Sequence, residues 1–314
     1  MKRSSLLPAI VLCVVPAVSG AQDWPGGRPI RFEVTAAAGG LIDFVPRELA
    51  GPLSARLGVP VVVEDRPGGG GNIAANLVAK AARDGHTLLV TGLNQAVNPT
   101  LLPNPGFDYQ RDLMPVAMVV STKLLLVASP TFPAKNIGDV IAIAKQKPKS
   151  VSIATSEIGT PNYLAAQMLA RYGNIDLTFV PYDGIALAMT DLRAGRVDLG
   201  VGAISTMLPQ VHSGALKALA VISPKRSPLA SDIPTSAEAG LPALLVDNWI
   251  CFMGTGGSPA SAIARLDEAI AAALALPEVQ AAFAKHAVDI FYMNSGQLRQ
   301  FLHGETTRFS ELLK

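Results

Sequence analysis

The chain has 314 residues, 49% of them hydrophobic and 16% charged, with 26 basic against 24 acidic side chains. That near-balance excludes the basic excess on which nucleic-acid or anionic-membrane partners depend. Two cysteines, Cys13 and Cys251, are too few for a disulfide framework, and a body of about 290 residues is long enough for one large or two medium domains with a sizeable core.

At the N-terminus, Lys2 and Arg3 precede an apolar run over 6–18 and the small residues Ser19, Gly20 and Ala21, the order of a secretory signal. The run is too short for a transmembrane helix. Cleavage after Ala21, or one residue earlier, would leave 24 basic and 24 acidic side chains and place a soluble protein in the periplasm. Cys13 sits behind Leu12, where a lipoprotein signal wants a small residue, so it reads as part of the discarded peptide. Cys251 then remains as a buried, inert thiol.

Strands are predicted at 30–35, 61–64, 88–91, 124–128, 151–154, 177–180, 197–201, 216–222 and 249–253. Helical patterns lie between them at 44–53, 72–82, 137–145, 162–171, 185–194 and 261–274. Short β-branched runs separated by helices predict an α/β protein with mainly parallel sheets flanked by helices.

Several strand-to-helix turns carry chemistry. Ala38, Gly39 and Gly40 follow the first strand, and Asp43 opens a helix: glycines admit a ligand to the backbone, and first-turn N–H groups can meet a carboxylate. The same turn also serves plain tight packing. Gly68 to Gly71 with Asn72 lacks the lysine and hydroxyl of a phosphate loop and reads as a close-packed turn. Asn94, after the third strand, offers donor and acceptor but is also a common turn residue. The segment Thr155, Ser156, Glu157, Ile158, Gly159, Thr160 precedes Pro161, with Thr160 suited to N-cap and Pro161 to N1. His86, His212, His286 and His303 are widely spaced, and no Gly-x-Ser-x-Gly elbow occurs, so no metal, cofactor or catalytic constellation emerges. Residues distant in sequence can still meet in space, which keeps a periplasmic hydrolase or isomerase as a rival.

Motifs in fixed order make the mature chain resemble the extracytoplasmic receptors of tripartite tricarboxylate transporters, the Bug family. They are Trp24-Pro25, Pro29-Ile30-Arg31, Ala38-Gly39-Gly40 with Asp43, Glu64-Asp65-Arg66-Pro67-Gly68 through Asn72, Asp84-Gly85-His86-Thr87-Leu88, Val180-Pro181-Tyr182, Asp191-Leu192-Arg193-Ala194-Gly195 and Pro234-Thr235-Ser236-Ala237-Glu238-Ala239-Gly240. The resemblance implies a two-lobed periplasmic-binding-protein fold of type II. Lobe 1 would hold 24–125 plus 249–314 and lobe 2 would hold 126–248, with hinged closure on a ligand between them. It further implies a receptor that is no enzyme and needs no cofactor, a monomer that captures a small organic acid and hands it to membrane transporter subunits. A sensor feeding a membrane kinase would share the ligand site.

By that resemblance Ala38, Gly39 and Gly40 form the first carboxylate cradle, and Asp43 supports an ordered water. Ser156, Gly159 and Thr160 form the second cradle. Asn94, Tyr163, Tyr182, with its hydroxyl in the cleft, and Asp183 complete the expected site. Leu41 and Ile42 stand where relatives carry Gly, Ser or Thr, Asp183 where lysine is frequent, Tyr163 where histidine is frequent, and Gly202-Ala203 where an acid is often found. These departures favour an aromatic or amino carboxylate over citrate, with Asp183 and Glu157 available to an amine if they face the cleft.

Overall fold

Strand β1, Ile30–Val34, buries Ile30, Phe32 and Val34, and its neighbours are set by register: Ile30 lies opposite Val61 of β2 (Val61–Asp65), and Phe32 opposite Leu88 of β3 (Thr87–Gly92). The computed structural model describes residues 24–313 except 103 and 287, so the predicted export signal lies outside the described residues. Both pairings are parallel, and α1 (Leu41–Leu57) and α2 (Asn72–Ala79) make the crossovers. After α3 (Asn94–Leu101) come β4 (Leu113–Thr122) and, one residue later, β5 (Leu124–Ala128).

β5 belongs to a second sheet. There the chain continues through α4 (Ile137–Gln146), β6 (Ser152–Thr155), α5 (Pro161–Gly173), β7 (Thr178–Pro181), α6 (Ile185–Arg193), β8 (Leu199–Ala203), α7 (Ile204–His212) and β9 (Lys217–Ile222). It returns to the first sheet through β10 (Asn248–Thr255) and finishes with α8 (Ala260–Leu274), α9 (Pro277–Lys285), β11 (Ile290–Met293) and α10 (Ser295–Leu312). The six-stranded sheet has the order β11-β4-β10-β3-β1-β2 and the five-stranded sheet β7-β6-β8-β5-β9.

The sheets are mixed, which corrects the expectation of mainly parallel ones. β10 pairs antiparallel with both β3 and β4, and β5 pairs antiparallel with both β8 and β9. The reason is connectivity: β5 and β10 enter their sheets directly from the other one, with no crossover helix to turn them parallel. Helices cover both faces. One apolar cluster joins β1, β3 and β10 to α1, α8 and α9, and a second lies under α6 and α7. A third runs from α2, α3 and α10 through Leu244, Val246 and Trp249 to α4 and α5, so apolar packing is continuous where the chain crosses between sheets. Among the described residues no helix is long and apolar enough to span a membrane.

Candidate functional site: a cleft between opposed helix N-termini

Strands β1, β2 and β3 end at Val34, Asp65 and Gly92, and β6, β7 and β8 end at Thr155, Pro181 and Ala203, each leading into a turn and a helix start. In open α/β sheets ligands bind beyond these carboxyl ends. Two contacts show that the two sets of turns face each other. The Gly70 N–H donates to Glu157 Oε2 at 2.8 Å, and a Cβ built on Gly159 would lie 2.1 Å from Asn98 Oδ1. A Cβ on Gly70 would fall 2.6 Å from the Ile158 carbonyl oxygen. Both glycines have φ in the left-handed region, +63° and +87°, so the close approach and the backbone each demand glycine.

The first cradle is exposed: Ala38, Gly39 and Gly40 lead into the 17-residue α1, whose N-cap Gly40 brings no side-chain cap. The Leu41 and Ile42 N–H groups therefore have no intrahelical partner and stand at the positive end of the helix dipole. Asp43 is buried, with Oδ2 accepting from Gly39 N–H at 2.8 Å and Oδ1 bound by Arg47, whose guanidinium also reaches Asp65 at 2.6 Å. Asp43 thus shapes the glycine turn from behind. Burial, and next the nearby Asp43 carboxylate, push the Asp65 carboxyl above its ordinary pKa. Arg47, which binds both acids, went unmarked in the sequence; its signal was the i,i+4 spacing from Asp43.

On the opposite side Gly159 is buried, Thr160 is the N-cap of α5, accepting from Tyr163 N–H at 3.3 Å, and Pro161 follows at N1. The Thr160 hydroxyl donates to the Glu157 carbonyl at 2.7 Å. Ser156 and Tyr163 are half-buried beside this cap, and the Tyr163 ring packs on the continuous apolar cluster.

Three expected residues are tied up within the protein. Asn94 opens α3 rather than a loop; its Oδ1 accepts from the Thr91 hydroxyl and Gly92 N–H, and its Nδ2 donates to the Gly70 carbonyl at 3.0 Å. The Tyr182 hydroxyl, expected in the cleft, instead donates to Asp191 Oδ2 at 2.6 Å on α6, because its ring packs over the cluster beneath that helix. Burial, and then the Asp191 carboxylate, push this phenol up to about 12. Glu157 is engaged by Gly70, which leaves Asp183, exposed just before α6, as the remaining expected acid.

The glycine run was more than a packing turn. Gly68, Gly69, Gly70 and Gly71 all have positive φ, which brings the Gly70 carbonyl to both Asn94 and Asn98 while its N–H crosses to Glu157. The buried Asn98 Oδ1 has no hydrogen-bond partner and faces Gly159. Cys251 is wholly buried and its thiol raised by burial, the inert state expected of it. Among the described residues no three His, Cys, Asp or Glu side chains are placed to share a metal.

Two mixed sheets whose turns meet across a cleft define a two-lobed binding protein of the periplasmic type. Residues 45–314 match the model of the tripartite tricarboxylate transporter family receptor, and the chain belongs to that family. BugT of Bordetella pertussis is 32% identical over 320 residues, covering 100% of this chain and 98% of its own. A protein encoded between tcbD and tcbE in Pseudomonas sp. strain P51 is 32% identical over 314 residues, covering 99% and 94%. The structure of the periplasmic binding protein BugD superposes with a TM-score of 0.84 at 31% identity, over 90% of this chain and 96% of that one. MatC of Rhodopseudomonas palustris, with bound malate, gives 0.84 at 28% over 91% and 99%. A second R. palustris protein, with adipate, gives 0.85 at 28% over 92% and 97%. The chain is therefore a solute-binding receptor, not an enzyme.

Proposed function

We propose that the cleft captures a small carboxylate and that the loaded, closed form is read by the membrane subunits of a tripartite transporter. The observation that carries this is that glycine-containing helix starts stand at the carboxyl ends of both sheets, Gly39-Gly40 before α1 and Gly159-Thr160 before α5, among turns that meet through Gly70 and Glu157. The α1 start offers the Leu41 and Ile42 N–H groups and the α5 start that of Asn162, since the Thr160 N–H is taken by the Glu157 carbonyl and Pro161 has none. Such positive helix ends suit a carboxylate, and the relatives with malate and adipate support that ligand class. Ala38, Ser156 and Tyr163 complete the ligand's surroundings in this reading. Asp43, Asn94, Thr160 and Tyr182 hold those surroundings in shape, and Asp183 stands at the rim. Closure excludes water and strengthens each polar contact.

The expected lobes, 24–125 with 249–314 and 126–248, shift by a few residues in this reading to 24–122 with 248–313 and 124–247, because β5 lies in the second sheet and β10 in the first. The hinges are where β4 passes into β5 and where the chain enters β10. Export to the periplasm by the N-terminal signal and a monomeric state belong to the same proposal. An aromatic or amino carboxylate is favoured over citrate: Leu41 and Ile42 replace polar donors with apolar surface, and Asp183 supplies an acid for an amine.

A thermal-shift screen of the refolded mature protein against aliphatic dicarboxylates, amino acids, benzoates and pyridine acids tests the proposal. A ligand at about a hundred times its dissociation constant stabilises by roughly 2.7 kcal/mol, a rise of several degrees for a chain of this size. Stabilisation with the compound recovered unchanged is expected. No stabilisation by any carboxylate contradicts it, and a preference for citrate contradicts the finer assignment.

A further inference from the structure

Helix α3 presents two faces. Asn94 and Asn98 turn toward Gly70 at the cleft, whereas Gln95 and Pro99, also four residues apart, line a cavity of about 740 Å³ closed by the 104–110 loop, β4, β10 and α10. Its size is that of a small-molecule site. The wall is largely apolar, with Leu113, Met253 and Leu302, and the Phe107 and Tyr109 rings stand 4.6 Å apart between centroids. Gln95 is only 5% exposed, yet its Nε2 has no hydrogen-bond partner. A buried amide donor without a partner is uncommon and calls for an acceptor. At the open side, Arg299 and His303 are exposed one turn apart on α10, and neither forms an ion pair among the described residues. Asp108 is the one acid in the lining, and its Oδ1 is already occupied by the Gln110 and Arg111 N–H groups.

We infer that this cavity is a second small-molecule site, separate from the cleft. It takes a flat apolar carboxylate whose buried end carries a hydrogen-bond acceptor for Gln95 Nε2 and whose carboxylate meets Arg299 at the mouth. The body of the ligand lies between the Phe107-Tyr109 wall and Leu302. Neither Gln95 nor Arg299 contributes to the cleft, so the two sites have distinguishable chemistry.

The test is a ¹³C-methyl NMR titration of the mature protein with 4-acetylbenzoate. Methyls of Leu113, Met253 and Leu302 report the cavity, and those of Leu41, Ile42 and Ile158 report the cleft. Saturable shifts in the cavity set are expected. Binding there should weaken about fivefold in Arg299→Ala, an exposed substitution that spares the fold, with the loss of one charge-assisted contact. A similar loss is expected with 4-ethylbenzoate, which keeps the shape but lacks the acceptor. Absence of cavity shifts up to the solubility of the probe overturns the inference. So do shifts confined to the cleft set, or cavity binding indifferent to both changes.

Discussion

Asp43 shows how one residue's role depends on what stands four positions on. In the sequence it is an acid in a first helical turn beside two glycines; in the fold it is locked between the Gly39 N–H and Arg47. Replacing Arg47 by Leu leaves the buried Asp43 and its neighbour Asp65 without their shared cation. Since the guanidinium is half exposed, the expected loss is about 1–3 kcal/mol, below that of a fully buried pair, and a urea titration measures it. Tyr182 makes a second case. Its phenol is held neutral up to about 12 in the folded state against about 10 in a free chain, so its contribution is complete below pH of about 10 and is lost as pH rises toward 12. Tyr182→Phe should therefore flatten part of the alkaline fall in urea midpoint, with the half-buried Tyr109, also raised to about 12, supplying another part. A fall of unchanged steepness contradicts the assignment. The glycines and the Thr160-Pro161 cap were legible because φ and capping are local properties. The commitments of Asn94, Tyr182 and Glu157 were not, since their partners lie in other elements or across the cleft.

At the level of elements, strands with β-branched runs were readable, and β5 matches its predicted span, 124–128. β4 and β11 were missed: β4 carries Pro115 and reads as a mixed run, and β11 is four residues of half-exposed edge. α3 and α7 were missed because each is short, eight and nine residues, with a proline inside, Pro99 and Pro209, and α3 is weakly hydrophobic overall. α10 is polar overall and is specified by its start. Asn294 accepts from Gln297 N–H at 3.0 Å while the Gln297 side chain accepts from Asn294 N–H at 3.1 Å, a complete capping box. Asn294→Ala should cost about 1 kcal/mol, a fall of a few degrees in melting temperature by circular dichroism, without affecting carboxylate binding. The cap of α5 differs, since Thr160 stands at the cleft. Thr160→Ala should lose a similar stability and weaken binding as well.

Across the whole molecule, the two crossings are tied by Lys123 to Asp247 at 3.1 Å, and α10 reaches over them, with Arg308 donating to the Leu245 carbonyl at 2.9 Å and Arg171 of α5 to the Leu312 carbonyl. These contacts lie at and beside the crossings, whereas Gly70 and Glu157 meet between the turns that follow β2 and β6. That meeting makes closure a property of backbone and one carboxylate. Glu157→Ala should weaken ligand binding about tenfold by removing a charge-assisted hydrogen bond made when the lobes meet, while Glu157→Gln, which keeps an acceptor, should lose less. The two-lobed architecture was legible through motif order and strand-helix alternation. The interlobe contacts were not, since 87 residues separate Gly70 from Glu157. The most direct check is calorimetric titration of a carboxylate found by screening into the refolded wild type and Gly159→Ala. A Cβ there meets Asn98 Oδ1 at 2.1 Å and blocks the lobes from meeting. One cleft site per wild-type molecule, weakened at least about tenfold in the variant at a temperature where it stays folded despite the strain of Ala at the left-handed φ of +87°, is the predicted result. Equal affinity in the two proteins would contradict capture between the lobes.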